Sequence, residues 1–187
     1  ASDVYKRQYK DDVEKYIPQS PKVKNGKRIA LIGAGPASLT VARDLLPLGY
    51  ECTIFEKDHK AGGLMRTNIP SFRLPADVLD EEIYRIINMG AELKLNSYIE
   101  KLKPVIDEYD SVFIGTGAPK GKDLKLKGRE ISSENIHIGI DWLTSIAFEH
   151  VKKIGKKVIV IGGGNTAMDC CRSALRLGAN DVKVTVR

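Results

Sequence analysis

Cysteine is scarce in this 187-residue chain, and the three present, Cys52, Cys170 and Cys171, form neither a Cys-x-x-Cys pair nor a ligand set for zinc or an iron–sulfur cluster. Cys170 and Cys171 are adjacent within a predicted helix, where neighbouring side chains diverge by about 100°, so packing is expected rather than a disulfide. That usage fits a reducing, cytoplasmic setting. Histidine is as scarce: His59, His137 and His150 stand alone and are expected on the surface or in loops. No Ser–His–Asp set, paired catalytic carboxylates or metal box is visible. No apolar run approaches the ~20 residues of a membrane span. Ala1–Gln8 has no initiator methionine, apolar signal core or cleavage pattern, and ASDVYKRQ reads as translated sequencing adapter, so it is set aside from the fold.

What is there is ordinary for a globular protein: 42% hydrophobic and 29% charged residues, enough for one sizeable core or two small ones. The net charge of +6 and pI near 9.1 suit a solvated basic surface, an acidic partner or phosphorylated cofactors. The basic residues are dispersed, clustering only at Lys22, Lys24, Lys27 and Arg28 and again over 120–129, so neither a nucleic-acid surface nor a membrane is expected.

Residues 1–27 read as a leader and linker, polar and broken by Pro18 and Pro21. Arg28–Ile32 is an apolar strand, Pro36–Leu48 has helical spacing and stops at Gly49, and Cys52–Phe55 is the next strand. Strand, turn, helix and strand within about 30 residues open a parallel, doubly wound α/β sheet. A loop over 57–74 precedes a helix at Pro75–Met89, then strands at Ala91–Leu95 and Ser111–Ile114 and an amphipathic stretch at Ile138–Val151. After the polar run Lys152–Lys157 the opening pattern returns: strand Val158–Ile161, turn Gly162–Gly164, helix Thr166–Leu177 and strand Val182–Val186. Two domains follow from this, one over 28–150 and the start of another over 156–187. One strand–helix–strand unit cannot bury both faces of a sheet, so the second domain is expected to be unfinished and the chain a C-terminally truncated fragment.

The first turn is Gly33-Ala34-Gly35-Pro36-Ala37-Ser38. A pyrophosphate suits such a turn: the first glycine allows the tight bend, the second admits the phosphates, and the helix N-terminus offers free N–H groups and positive dipole charge. Ser38 departs from the glycine expected third, where a small residue is needed for close helix–strand packing. Glu56, 21 residues past Gly35 at a strand end, is placed to accept two hydrogen bonds from a ribose diol. The second turn, Gly162-Gly163-Gly164-Asn165-Thr166-Ala167, has no carboxylate at its strand end; Arg187 is there instead, able to pair with a 2′-phosphate and so to favour NADP over NAD.

Taken in order, GAGPASL, FEKDHKAGGL, NIPSFRLP, FIGTGAP and GGGNTAMDC with a terminal arginine resemble the small (beta) subunit of glutamate synthase and the similar flavin module of dihydropyrimidine dehydrogenase, over about Arg28–Arg187. The resemblance implies a Rossmann-like FAD-binding domain interrupted by a Rossmann-like NADPH-binding domain, as in glutathione-reductase-like folds, with hydride passing from NADPH to FAD and electrons leaving through an iron–sulfur or large-subunit acceptor. By that resemblance Gly33, Ala34, Gly35, Pro36 and Ala37 hold the FAD pyrophosphate, and the stretch with Glu56, Lys57, Gly62, Gly63 and Leu64 holds the adenosine ribose and nearby phosphate. Arg73 meets the flavin side, Ile99 flanks the adenine, and Thr116 and Gly117 close the FAD site. Gly163, Gly164, Asn165, Thr166 and Arg187 carry NADPH. No catalytic side chain is implied, since the cofactors supply the chemistry. Asn68, where relatives carry glycine, and the missing upstream cysteine-rich cluster domain depart from the pattern.

The leading expectation is thus an NADPH-dependent FAD oxidoreductase. Two alternatives are the electron-input module of a pyrimidine-reducing enzyme and a non-catalytic dinucleotide-binding or assembly module. The 187-residue piece alone is expected to be inactive and to bind FAD weakly.

Overall fold

The structure, a computed structural model, describes residues 18–123 and 127–186. The expectations for Arg187 and for the first 17 residues lie outside that range.

The described chain falls into two compact units, one of residues 18–60 and 81–115 and the other of residues 61–80, 116–123 and 127–186. Within the stretch expected as the first domain, residues 61–80, 116–123 and 127–150 group with the second glycine turn.

In the first unit a four-stranded, all-parallel sheet has the order β3-β2-β1-β4. Its strands are β1 (Arg28–Ile32), β2 (Glu51–Phe55), β3 (Glu92–Lys94) and β4 (Ser111–Ile114). β1 is central and buried from Ile29 onward, as an apolar run inside a parallel sheet requires. Helix α1 (Pro36–Leu45) starts with Pro36 at its first turn, where the missing N–H costs nothing, and buries Ser38, Leu39 and Ala42. A 3-10 turn, Leu46–Leu48, replaces the last helical turn expected from the sequence and ends at Gly49 in a left-handed conformation. α2 (Leu64–Thr67) lies in the segment read as loop, and α3 (Ala76–Asn88) crosses the division between the units. Helix α4 (Leu102–Glu108) was not legible: it is seven residues long and contains Pro104, tolerated there because it falls in the first turn. It presents Val105 to a small cluster with Ala30 and Tyr109, against which Phe55, Ile99 and Val112 pack.

The second unit holds α5 (Gly139–Ala147), β5 (Lys157–Ile161), α6 (Asn165–Arg176) and β6 (Asp181–Thr185), with β5 and β6 paired in parallel. Trp142, Leu143, Cys170, Ala174 and Ala179 form its core, with Val158, Val160 and Val182 packed against them. β5 alternates: Val158 and Val160 are half-buried, while Ile159 and Ile161 are exposed. No helix among the described residues is long and apolar enough to cross a membrane.

Candidate functional site: two glycine turns

The two glycine-rich turns are built alike. Gly33 and Gly162 both have positive φ, 92° and 129°, which a side chain would strain and which turns the chain from strand into helix. In each, the turn's first N–H donates to the carbonyl at the end of the neighbouring strand: Gly33 to Phe55 at 2.7 Å, Gly162 to Thr185 at 2.8 Å. The helix caps nearly coincide in conformation, with φ/ψ of −80°/178° at Gly35 and −79°/176° at Gly164. Neither helix N-terminus has a side-chain cap. Their first-turn N–H groups and dipole ends are therefore available to an anion such as a pyrophosphate.

The strand registers make the turns comparable residue by residue. β1 pairs Ile32 with Phe55 and β5 pairs Ile161 with Thr185, so Glu56 and Val186 hold equivalent places just beyond the second strand of each pair. Glu56 is buried and bridges two backbone donors: Oε2 accepts from Ala34 N–H at 2.7 Å and Oε1 from Asp58 N–H at 3.0 Å. An ionised carboxylate has about four acceptor sites, so this bracing leaves room for a further donor such as a ribose hydroxyl. Val186 is exposed and apolar, and its two methyl groups lie 3.1 Å from where a β-carbon on Gly163 would stand. The polar pair Ala34–Glu56 thus corresponds to the apolar pair Gly163–Val186.

The other expected site residues are placed as follows. Pro36 and Ala37 are exposed in the first turn of α1, and Asn165 and Thr166 are exposed in the first turn of α6. Lys57 is exposed just past β2. Gly63 caps α2 and Leu64, its first residue, is exposed. The position of a β-carbon on Gly62 lies 3.1 Å from the Leu79 side chain and 3.2 Å from that of Arg66, whose guanidinium pairs with Asp80. Thr116 and Gly117 are exposed in irregular chain after β4. Ile99 packs on the α4 cluster of its own unit. Asn68 is bonded rather than idle: its Nδ2 donates to the Ile140 carbonyl at 3.0 Å, tying the 68–75 segment to α5.

Arg73 is exposed yet paired. Its guanidinium donates to Asp169 Oδ2 at 2.6 Å, and the Asp169 side chain is buried. Beside it, Arg172 and Arg176 lie over the Phe72 ring at 4.7 and 3.8 Å. Asp169 was missed by sequence reasoning. Its signal is periodic, for it shares the buried stripe Asp169, Cys170, Ser173 and Ala174, where a lone carboxylate requires a partner. The thiols of Cys52 and Cys170 are both pushed up to about 11, in each case chiefly by burial.

Paired parallel strands, each followed by a glycine turn at an uncapped helix N-terminus, are Rossmann-like in form at both places. The chain belongs to the pyridine nucleotide-disulphide oxidoreductase family, whose model matches residues 27–187. It is 40% identical over 169 residues to the NADP(+)-dependent formate dehydrogenase subunit beta of Moorella thermoacetica, covering 88% of this chain and 24% of that protein. It is 34% identical over 181 residues to the glutamate synthase [NADPH] small chain of Bacillus subtilis, covering 88% of this chain and 36% of that protein. The chain therefore spans about a quarter to a third of the length of these curated relatives. Among solved structures, FprA of Mycobacterium tuberculosis in complex with NADPH matches with a TM-score of 0.70 at 18% identity, covering 84% of this chain and 42% of FprA, which shows the shared α/β fold. The resemblance to the glutamate synthase small-subunit group is borne out by the family match and these relatives.

Proposed function

We propose that this chain is the cofactor-binding part of an NADPH-dependent FAD oxidoreductase, with FAD on the first glycine turn and NADPH on the second. The observation that carries the reading is the matched geometry of the two turns combined with their difference at one position, Glu56 against Val186. A carboxylate accepts from a ribose diol and repels a 2′-phosphate, so the first turn suits the adenosine ribose of FAD and the second tolerates NADP. The names of relatives such as the glutamate synthase [NADPH] small chain support the same assignment.

The residues present fit both groups. At the first turn the uncapped N-terminus of α1 holds a pyrophosphate, and Glu56, braced by Ala34 and Asp58, keeps acceptor capacity for the ribose. At the second turn Gly163 and Gly164 are exposed, nothing lies near a β-carbon position on Gly164, and Asn165 and Thr166 follow with open side chains. When bound, the cofactors supply hydride transfer from nicotinamide to flavin. The chain's own task is to hold the two nucleotides by backbone N–H groups and to orient them.

Arg187, next after Val186, belongs to this reading as the partner of the 2′-phosphate. Lys57, Gly62, Gly63, Leu64, Arg73, Ile99, Thr116 and Gly117 belong to it as further FAD contacts. In the whole protein the NADPH domain is inserted into the FAD domain, and electrons pass to an iron–sulfur centre or a large catalytic subunit. The test is an absorbance spectrum of the purified full-length protein followed by anaerobic additions of NADPH and then NADH. Flavin bands bleached by NADPH, and much more weakly by NADH, are expected; a colourless protein that takes up no FAD would overturn the reading.

A further inference from the structure

Asp169 is a carboxylate on a helix otherwise packed through small residues, and its side chain is 6% exposed. Burying an ionised carboxylate is costly unless it is paired and hydrogen-bonded, and the Arg73 guanidinium supplies both at 2.6 Å. The contact bridges 96 residues of sequence, so it acts on the placement of a chain segment rather than on a helix surface. Phe72, the preceding residue, has its ring under the guanidiniums of Arg172 and Arg176, one and two turns further along α6. Pro70 begins a tight turn in which its carbonyl accepts from the Arg73 and Leu74 N–H groups at 2.8 and 3.1 Å. Phe72 and Arg73 are thereby held as a pair on one face of α6.

We infer that Asp169 is a positioning residue: with Arg172 and Arg176 it clamps Phe72–Arg73 onto α6, the helix whose N-terminus is the second glycine turn. The consequence is mechanical coupling within one compact unit. The helix that receives the nicotinamide nucleotide also fixes the segment that carries Arg73, so a shift of α6 on nucleotide binding moves Arg73 with it. Arg73 has five N–H donors and the clamp uses a single guanidinium nitrogen, which leaves donors for another anionic group. The coupling to a bound nucleotide and to flavin bleaching rests on the proposed function; the clamp itself does not.

Two experiments on the purified protein separate them. The first is limited trypsin digestion followed by mass spectrometry, comparing cleavage after Arg73 with cleavage after Arg43, an exposed residue of α1 in the other unit. Asp169→Asn is expected to accelerate cleavage after Arg73 by about fivefold or more with little change at Arg43, because only the local opening becomes easier. Asp169→Glu, which keeps the charge, is expected to restore most of the protection. Unchanged cleavage at Arg73, or equal acceleration at both sites, would overturn the clamp. The second experiment measures NADPH affinity and the rate of flavin bleaching separately. Asp169→Asn is expected to leave the Kd for NADPH within about twofold while slowing bleaching about tenfold, as misplacement of a contacting group does. A protected Arg73 in the wild type combined with unchanged bleaching in the variant would overturn the positioning role and leave the clamp. A wild-type protein that neither binds nor bleaches flavin would sink the proposed function, and the trypsin comparison would still decide the clamp.

Discussion

Ser38 and Gly115 share a space too small for one more carbon: a β-carbon on Gly115 would overlap the Ser38 hydroxyl, and it would stand 3.0 Å from the Phe113 ring. Ser38 is fully buried in the first turn of α1, and Gly115 follows β4 immediately. The glycine expected third in the first turn is thus displaced across the helix–strand contact. Serine occupies the helix side, and the missing side chain is on the sheet side.

That exchange predicts the effect of filling the space. Gly115→Ala is expected to destabilise the protein by about 1–3 kcal/mol, the cost of overpacking a well-filled core. Adding Ser38→Gly should recover most of the loss by moving the small residue back to the helix. The Ser38 hydroxyl has no hydrogen-bond partner among the described residues, so Ser38→Ala alone is expected to be neutral or stabilising. Urea unfolding of five proteins checks this, the wild type, Gly115→Ala, Ser38→Gly, their double variant and Ser38→Ala; additive losses in the double variant would contradict the shared-space account.

Glu56 predicts a linked loss of stability and cofactor. Its two oxygens serve the N–H groups of Ala34 and Asp58, so Glu56→Ala leaves two backbone donors without an acceptor and is expected to cost about 1–3 kcal/mol. Glu56→Gln keeps one acceptor oxygen and turns a donor toward the other N–H, so an intermediate loss is expected. Flavin content after desalting should fall in the same order as the unfolding midpoint. Full flavin content in the alanine variant would remove Glu56 from the site.

Much of the fold was legible because its signals are local. The apolar runs of β1, β2 and β5, the helix start at Pro36 and the stop at Gly49 each follow from residue types at fixed spacing, and the structure shifts the ends of most elements by only a residue or two. What escaped is non-local. No periodicity announces that Asp169 meets Arg73, that Gly115 answers Ser38, or that residues 61–80 belong with the second glycine turn. The register was the finest such detail. Ending β6 at Thr185 makes Val186, inside the strand expected from the sequence, the counterpart of Glu56.

Val186 offers a direct test of the cofactor assignment. Introducing a carboxylate by Val186→Glu recreates at the second turn the acceptor that Glu56 supplies at the first, and it sets a negative charge where a 2′-phosphate would lie. The ratio of NADH to NADPH affinity is expected to rise by about tenfold or more, equivalent to about 1.4 kcal/mol. Titration of both nucleotides by fluorescence measures the ratio. An unchanged ratio would mean that the end of β6 does not read the adenosine ribose.

The thiols predict a loss of stability at alkaline pH. Burial raises Cys52 and Cys170 from an ordinary 9.0 to about 11, and the neighbouring Asp169 and Cys171 add to the rise at Cys170. In the folded state both remain neutral at a pH where the unfolded chain has already lost its thiol protons. Between about pH 9 and pH 11 the folded protein therefore binds more protons than the unfolded one, and stability falls as pH rises. Below about pH 9 both states are protonated and the contribution is fully present. Unfolding midpoints measured across that window should decline, and the decline should shrink in Cys52→Ala and Cys170→Ala relative to each variant's own midpoint near neutrality. At about pH 8 a disulfide reagent should modify half-buried Cys171 ahead of the other two, because burial shields Cys52 and Cys170 and keeps their thiols protonated. Simultaneous modification of all three, with a flat alkaline profile, would show that Cys52 and Cys170 are not sheltered by the cores that hold them.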